Sequence, residues 1–149
     1  MHRILAPVDL DEKRALSQVR WIASLPDAER SVRVILVFVF ERDELDDLPA
    51  AVKSGGSSRD VVTSVAVAYQ YLEERDVDVT LVDRRFNPVE KIRQEVLKRD
   101  VQTIVLGGRK NPPVGRHSYG SVAQSLLLLT DVPIVITGRN VPPVDDSES

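Results

Sequence analysis

The residues best suited to chemistry lie between Asp100 and Asp131, a stretch without a single acid that carries Arg109, Lys110, Arg116 and His117. With 23 acids among 149 residues, a gap of that length arises at a given place by random ordering with a chance of roughly 1%, so the pattern carries information. A buried strand and a leucine-rich helix exclude acids for packing reasons, but packing does not account for the fixed cations in the loop that joins them. Gly107 and Gly108 close the strand, and Gly120 and Ser121 open the helix. A missing side chain lets main-chain N–H groups approach an anion, and a helix start offers unpaired donors and a partial positive charge. Ser121 adds a hydroxyl donor, and Arg109 or Arg116 can make charge-assisted bonds to phosphate oxygens. The chemistry that suits this set is the holding of a phosphate. A plainer use of the same residues is a tight turn at Gly107-Gly108 and a helix cap at Ser121.

A second candidate is Asp9, which ends the run Pro7-Val8-Asp9. Its carboxylate either accepts bonds from a ribose hydroxyl or an adenine amino group, or caps the helix that follows. Several other chemistries are excluded. Without cysteine the chain has no disulfide framework, thiolate zinc site, iron–sulfur cluster or cysteine nucleophile. No G-x-x-x-x-G-K-[ST] motif occurs, and Pro7-Val8-Asp9-Leu10-Asp11 lacks G-x-G-x-x-G, which argues against a P-loop NTPase and an ordinary dinucleotide-binding fold. There is no G-x-S-x-G elbow, and the only imidazoles are His2 and His117, the latter read as a solvated loop residue. Asp43-Glu44-Leu45-Asp46-Asp47 has the composition of a metal site without calcium-loop spacing and reads as a solvated acidic face.

These residues need a scaffold, and the composition bounds it. A chain of 149 residues, 42% hydrophobic and 29% charged, fits one soluble globular domain. At this length folding buries roughly 68 to 70% of the extended-chain surface, enough for one full core. Twenty basic residues against 23 acids leave a net charge of -3, which argues against nucleic-acid binding through global positive charge. The apolar run before Pro7 is too short for a signal peptide, and nothing approaches the ~20 apolar residues of a membrane span. The expected compartment is the cytoplasm.

Along the chain, Ile4 to Val8 reads as a buried strand, and Leu16, Val19, Ile22 and Ala23 recur at helical spacing between Lys13 and Leu25. Val32 to Phe40 reads as a strand covered on both faces. Glu41 to Ser58, with its acids, Pro49 and a Gly/Ser cluster, reads as a mobile loop. A helix from Asp60 presents Val61, Val65, Ala68, Tyr69 and Leu72, and Val77 to Val82 alternates like an edge strand. Asn87 can cap a helix whose first turn holds Pro88, and Val89, Ile92 and Val96, with Leu97 beside them, form its stripe. Thr103 to Leu106 is a fourth strand, Ser121 to Thr130 a helix, and Val132 to Thr137 a last strand. The order β-α-β-α-β-α-β-α-β is that of a single-domain doubly wound parallel sheet with helices on both faces, whose ligands sit outside the carboxyl ends of the strands. The domain is expected over residues 1–140, with residues 141–149 as a disordered tail.

Four segments also match a known family in order: Arg3-Ile4-Leu5-Ala6-Pro7-Val8-Asp9, Val34-Ile35-Leu36-Val37-Phe38-Val39, Asn87-Pro88, and the glycine loop. They resemble the universal stress protein family over nearly the whole chain. The ATP-binding branch of that family carries G-x-x-G, nine residues, then G-[ST]. Here Gly107-Gly108-Arg109-Lys110 is followed by nine residues, Asn111 to Tyr119, and then Gly120-Ser121-Val122. Lys110 replaces the second glycine, and Phe86 stands where the family usually has glycine.

The resemblance implies a five-stranded sheet of order 3-2-1-4-5, whose reversal between the first and fourth strands faces Asp9 and Gly107 across one crevice. It implies that Val8 and Asp9, with the backbone of Val39, flank adenine and ribose, and that Gly107, Arg109, Gly120, Ser121 and Val122 surround the phosphates. Pro7, Gly108, Lys110 and Arg116, beside them in the sequence, complete the set of candidate binding residues. The resemblance also implies a homodimer through antiparallel pairing of Val132 to Thr137, in which Pro133, lacking a donor, must face away or sit at the end.

The expected function is therefore a cytoplasmic, dimeric stress-response regulator that binds ATP or a related adenine nucleotide, with Mg²⁺ through the phosphates, and hydrolyses it slowly or not at all. The alternative, prompted by Lys110, is a dimeric interaction scaffold of the same fold whose pocket no longer takes nucleotide. A third reading is a small esterase or phosphatase using Ser118 or Ser121.

Overall fold

Alternation along the two central strands decides the architecture. The computed structural model describes residues 1–40, 57–86, 88–108 and 120–138. In β1 (His2–Val8), Ile4, Ala6 and Val8 are buried in one cluster while Leu5 joins a second on the opposite face. In β2 (Val32–Phe40), Val34, Leu36 and Phe38 take the first side and Ile35, Val37 and Val39 the second. Strands that are apolar on both faces need helices on both faces, and parallel pairing through helical crossovers supplies them.

The first face is covered by α1 (Glu12–Ala23), through Ala15, Val19 and Ile22, and by a later helix described below. After α1 comes a single turn, α2 (Ala28–Ser31), preceded by Asp27 at φ 53°, a conformation that aspartate tolerates better than most residues. Next are α3 (Ser58–Val61) and α4 (Thr63–Glu73), the latter packing Val65, Ala68 and Leu72 beside α1. β3 (Asp78–Phe86) follows. The second face is covered by α5 (Pro88–Lys98), through Ile92 and Val96, and α6 (Gly120–Leu129), through Ala123 and Leu126. With β4 (Thr103–Gly107) and β5 (Ile134–Thr137), the sheet has the order β3-β2-β1-β4-β5, every pair parallel. This is the doubly wound 3-2-1-4-5 arrangement expected.

The structure departs from the sequence reading at several elements, most of them for tertiary reasons. The second helix begins at Ser58, two positions before Asp60, because the Asp83 carboxylate accepts the Ser58 N–H at 3.1 Å and Ser57 Oγ accepts that of Arg59 at 3.3 Å. Val62, extended at φ -104° and ψ 112°, then splits it from α4. β3 runs past Val82 to Phe86 by way of a bulge: Val37 faces Val82 but Val39 faces Arg85, one extra residue on β3. Leu97 is not in the stripe of α5 and is 81% exposed. Five positions on from Ile92, at about 3.6 residues per turn, it falls on the opposite flank. Pro133 sits just before β5, where its carbonyl accepts the Ile104 N–H at 2.9 Å. The acidic run 43–47, Asn87 and the tail 141–149 lie outside the described residues. Among those described, no helix is long and apolar enough to cross a membrane.

Candidate functional site

The site begins where the sheet divides. β1 pairs with β2 along its whole length, and β4 with β5 as far as Gly107 opposite Thr137. Between β1 and β4, pairing is confined to Ile4 with Thr103 and Leu5 with Ile104. The two halves of the sheet therefore part toward their carboxyl ends, at the point where the strand order reverses. Gln18 of α1 fills the parting. Its side-chain Nε2 donates to the Pro7 carbonyl at 2.7 Å and the Val105 carbonyl at 2.9 Å, and the residue is 1% exposed. An amide nitrogen carries two hydrogens, so one atom can satisfy both strands where their ladder has stopped.

Asp9 forms one lip of the parting. Its Oδ1 accepts the Asp11 N–H at 2.9 Å, its Oδ2 accepts from Arg14 Nη1, and its main-chain carbonyl accepts from Ser64 Oγ at 2.6 Å. The cap of α1 is Asp11, whose carboxylate accepts the Arg14 N–H at 3.0 Å, so Asp9 is not the helix cap. Arg14 Nη2 reaches Asp11 Oδ2 at 3.4 Å, while Arg14 Nε is buried without a hydrogen-bond partner among the described residues.

Gly107 forms the other lip, and its lack of a side chain has a packing reason. A β-carbon there would lie 2.0 Å from Arg14 Cγ, 2.9 Å from Cδ and 3.2 Å from the Arg14 carbonyl. The stem of Arg14 thus occupies the space that glycine leaves, between the ends of β1 and β4. The adjoining Gly108 N–H donates to the Thr137 carbonyl at 3.2 Å, and Thr137 Oγ1 donates to the Leu106 carbonyl at 3.2 Å. Ser17 Oγ lies 2.8 Å from Thr137 Oγ1 and donates to the Arg14 carbonyl at 2.7 Å. The start of the glycine loop is thereby tied to both α1 and β5.

Of the residues singled out from sequence, Asp9 and Gly107 are brought to facing lips and Gly108 lies buried behind the second. Pro7 and Val8 are buried at the end of β1, with Val8 in the first core cluster, so what Val8 offers a ligand is main chain. Val39 belongs to the second cluster, beside the bulge. Gly120 and Ser121 open α6 as expected, and Val122 packs half-buried against the second cluster. Arg109, Lys110, Arg116 and His117, with Ser118, lie outside the described residues. His2 Nε2 is 2.7 Å from Thr103 Oγ1 at the amino ends of β1 and β4, far from the parting. Among the described residues no three His, Cys, Asp or Glu side chains gather as a metal site.

Sequence reasoning missed Arg14 and Gln18. Both break a local rule. Arg14 is a cation in the first turn of a helix, where the dipole favours anions. Gln18 is a polar residue on the buried stripe of Ala15, Val19 and Ile22.

The model of the universal stress protein family matches residues 1–138. No curated protein sequence is a match. Among solved structures, a universal stress protein in complex with cAMP is similar at a TM-score of 0.64 and 11% identity, covering 93% of this chain and 97% of that one. The universal stress protein of Archaeoglobus fulgidus in complex with dAMP gives 0.60 at 19% identity, over 92% and 98%. A family protein from Arabidopsis thaliana with AMP bound gives 0.63 at 14% identity, over 98% and 97%.

Proposed function

The chain belongs to the universal stress protein family, and we propose that it binds an adenine nucleotide between the carboxyl ends of β1 and β4 and acts as a stress-response regulator with little or slow hydrolysis. The observation that carries this reading is the parting itself: β1 and β4 separate after Leu5 and Ile104, with a carboxylate on one lip and the start of the glycine loop on the other. Relatives of the same fold hold cAMP, dAMP and AMP.

In this proposal Pro7, Val8 and Asp9, with the Val39 backbone, face adenine and ribose. Gly107, Gly108, Arg109, Lys110, Arg116, Gly120, Ser121 and Val122 face the phosphates. Mg²⁺ would be carried by the phosphates, since phosphate oxygens are its usual ligands when few carboxylates are at hand. The functional unit is residues 1–140, working in the cytoplasm as a homodimer through the β5 edge. Little or slow hydrolysis is the reading of a sequence whose only imidazoles are His2 and His117, and the first of these is engaged with Thr103 at the opposite end of the sheet.

Thermal unfolding with and without AMP and Mg-ATP tests the reading. A ligand at about 100 times its Kd adds about 2.7 kcal/mol, hence roughly 5 to 10 °C for a domain of this size. No shift at millimolar concentration of either nucleotide would remove it.

A further inference from the structure

We infer that Arg14 gives this crevice its selectivity for phosphate: it stands between Asp9 and Gly107 as a built-in substitute for ligand, and a nucleotide enters by exchanging partners with the Asp9–Arg14 pair. The inference rests on the adenine-nucleotide reading above and adds the residue that distinguishes a nucleotide from its nucleoside.

Three independent features of Arg14 converge. It is in the first turn of α1, a place where the helix dipole disfavours a cation and favours an anion. The Asp9 and Asp11 carboxylates offset that cost, the first through Nη1 and the second at 3.4 Å, too long for a strong bond. Its stem lies in the space that only glycine at 107 leaves open, so the arginine is packed against the end of β4 where the glycine loop begins. Its donors are also underused. A guanidinium has five N–H groups, yet Nε is buried and has no hydrogen-bond partner among the described residues.

A planar fork with spare donors, held by one good carboxylate contact, is matched to a phosphate oxygen pair. When a nucleotide enters, a ribose hydroxyl or adenine amino group donates to the Asp9 oxygen that Arg14 now occupies. The freed fork donates in turn to the phosphate. The guanidinium keeps an anionic partner, because the phosphate takes the place beside it that Asp9 held, while Asp9 is compensated by the donor from the ligand. A nucleoside offers the donor but no anion, so its binding would take the close carboxylate from Arg14 and leave only Asp11, at 3.4 Å, as its counter-charge, a costly arrangement for a half-buried cation.

The test is calorimetric binding of AMP and of adenosine to the wild type, Arg14→Ala and Arg14→Lys, with circular dichroism to establish that each is folded. The wild type is expected to prefer AMP. Arg14→Ala should weaken AMP by about ten-fold or more, the scale of one lost charge-assisted hydrogen bond, while adenosine binds no more weakly than before. Arg14→Lys, which keeps the charge without the fork, should fall between them for AMP. An AMP-to-adenosine preference that is equal in the wild type and Arg14→Ala overturns the role of Arg14 and leaves the nucleotide reading standing. Binding of neither compound by the wild type sinks both.

Discussion

The stem of Arg14 passes over Gly107 so closely that a β-carbon on that glycine would stand 2.0 Å from Arg14 Cγ. Gly107→Ala must therefore push the arginine aside and part it from Asp9. Overpacking of this kind costs about 1 to 3 kcal/mol. Residues in contact do not contribute additively. We expect Gly107→Ala combined with Arg14→Ala to cost less than the two single changes summed, by about 1 kcal/mol in urea unfolding. Additive costs would mean that the two side-chain positions do not compete for one space.

Gln18 is the second mutational target. Gln18→Leu keeps most of the volume but leaves the Pro7 and Val105 carbonyls, which it serves at 2.7 and 2.9 Å, without their donor. The expected loss is about 1 to 3 kcal/mol in urea unfolding. Gln18→Glu should cost more than Gln18→Leu, because a carboxylate has no proton to give and would face two carbonyl oxygens at close range. A glutamate variant as stable as the wild type would contradict the bridging role.

Asp83 anchors the start of α3 from across the chain by accepting the Ser58 N–H. Asp83→Ala should cost roughly 0.5 to 2 kcal/mol, the scale of a lost helix cap. The cost should appear locally, as faster hydrogen exchange over residues 58–62 with little change in β1 and β2. Uniform acceleration across the molecule would assign Asp83 a wider role than that of an anchor.

The proposed dimer is tested at the edge strand. Ile136 is 37% exposed on β5, and the neighbouring helix α6 leaves Leu128 87% exposed. Apolar side chains in such positions lose little when covered and gain from it. Ile136→Lys is expected to shift the mass seen by analytical ultracentrifugation from dimer to monomer while the thermal transition stays cooperative. A wild type that sediments as a monomer at tens of micromolar would end the proposal.

What could be read from the residues, and what could not, follows from where each interaction comes from. Ile4 to Val8 and Val32 to Phe40 were legible because burial on both faces leaves an unbroken apolar run. Asp9 and Gly107 carried local marks, a carboxylate after one strand and a glycine after another, but that they face one crevice followed from the strand order that the family resemblance implies. The start of α3 was not, since its anchor Asp83 lies 25 positions away. Nor was the true stripe of α1, where Ala15, Gln18, Val19 and Ile22 are buried and the expected Leu16 and Ala23 are only half-buried. Apolar periodicity gives weight to leucine and none to a glutamine that fits a gap between strands. Such a residue acquires its meaning once the gap exists, as does an arginine whose space depends on a glycine 93 positions on.

An outermost strand is the part of a sheet most open to strangers, and here its last residue is no passive border. Thr137 shares one knot of hydroxyls and carbonyls with Ser17, Leu106 and Gly108, and Ser17 grips the main chain of Arg14. A neighbour that settled alongside β5 would be leaning, at one remove, on the turn that aims the guanidinium. The few atoms that finish the border strand are thus the same ones that steady the main chain from which the guanidinium extends.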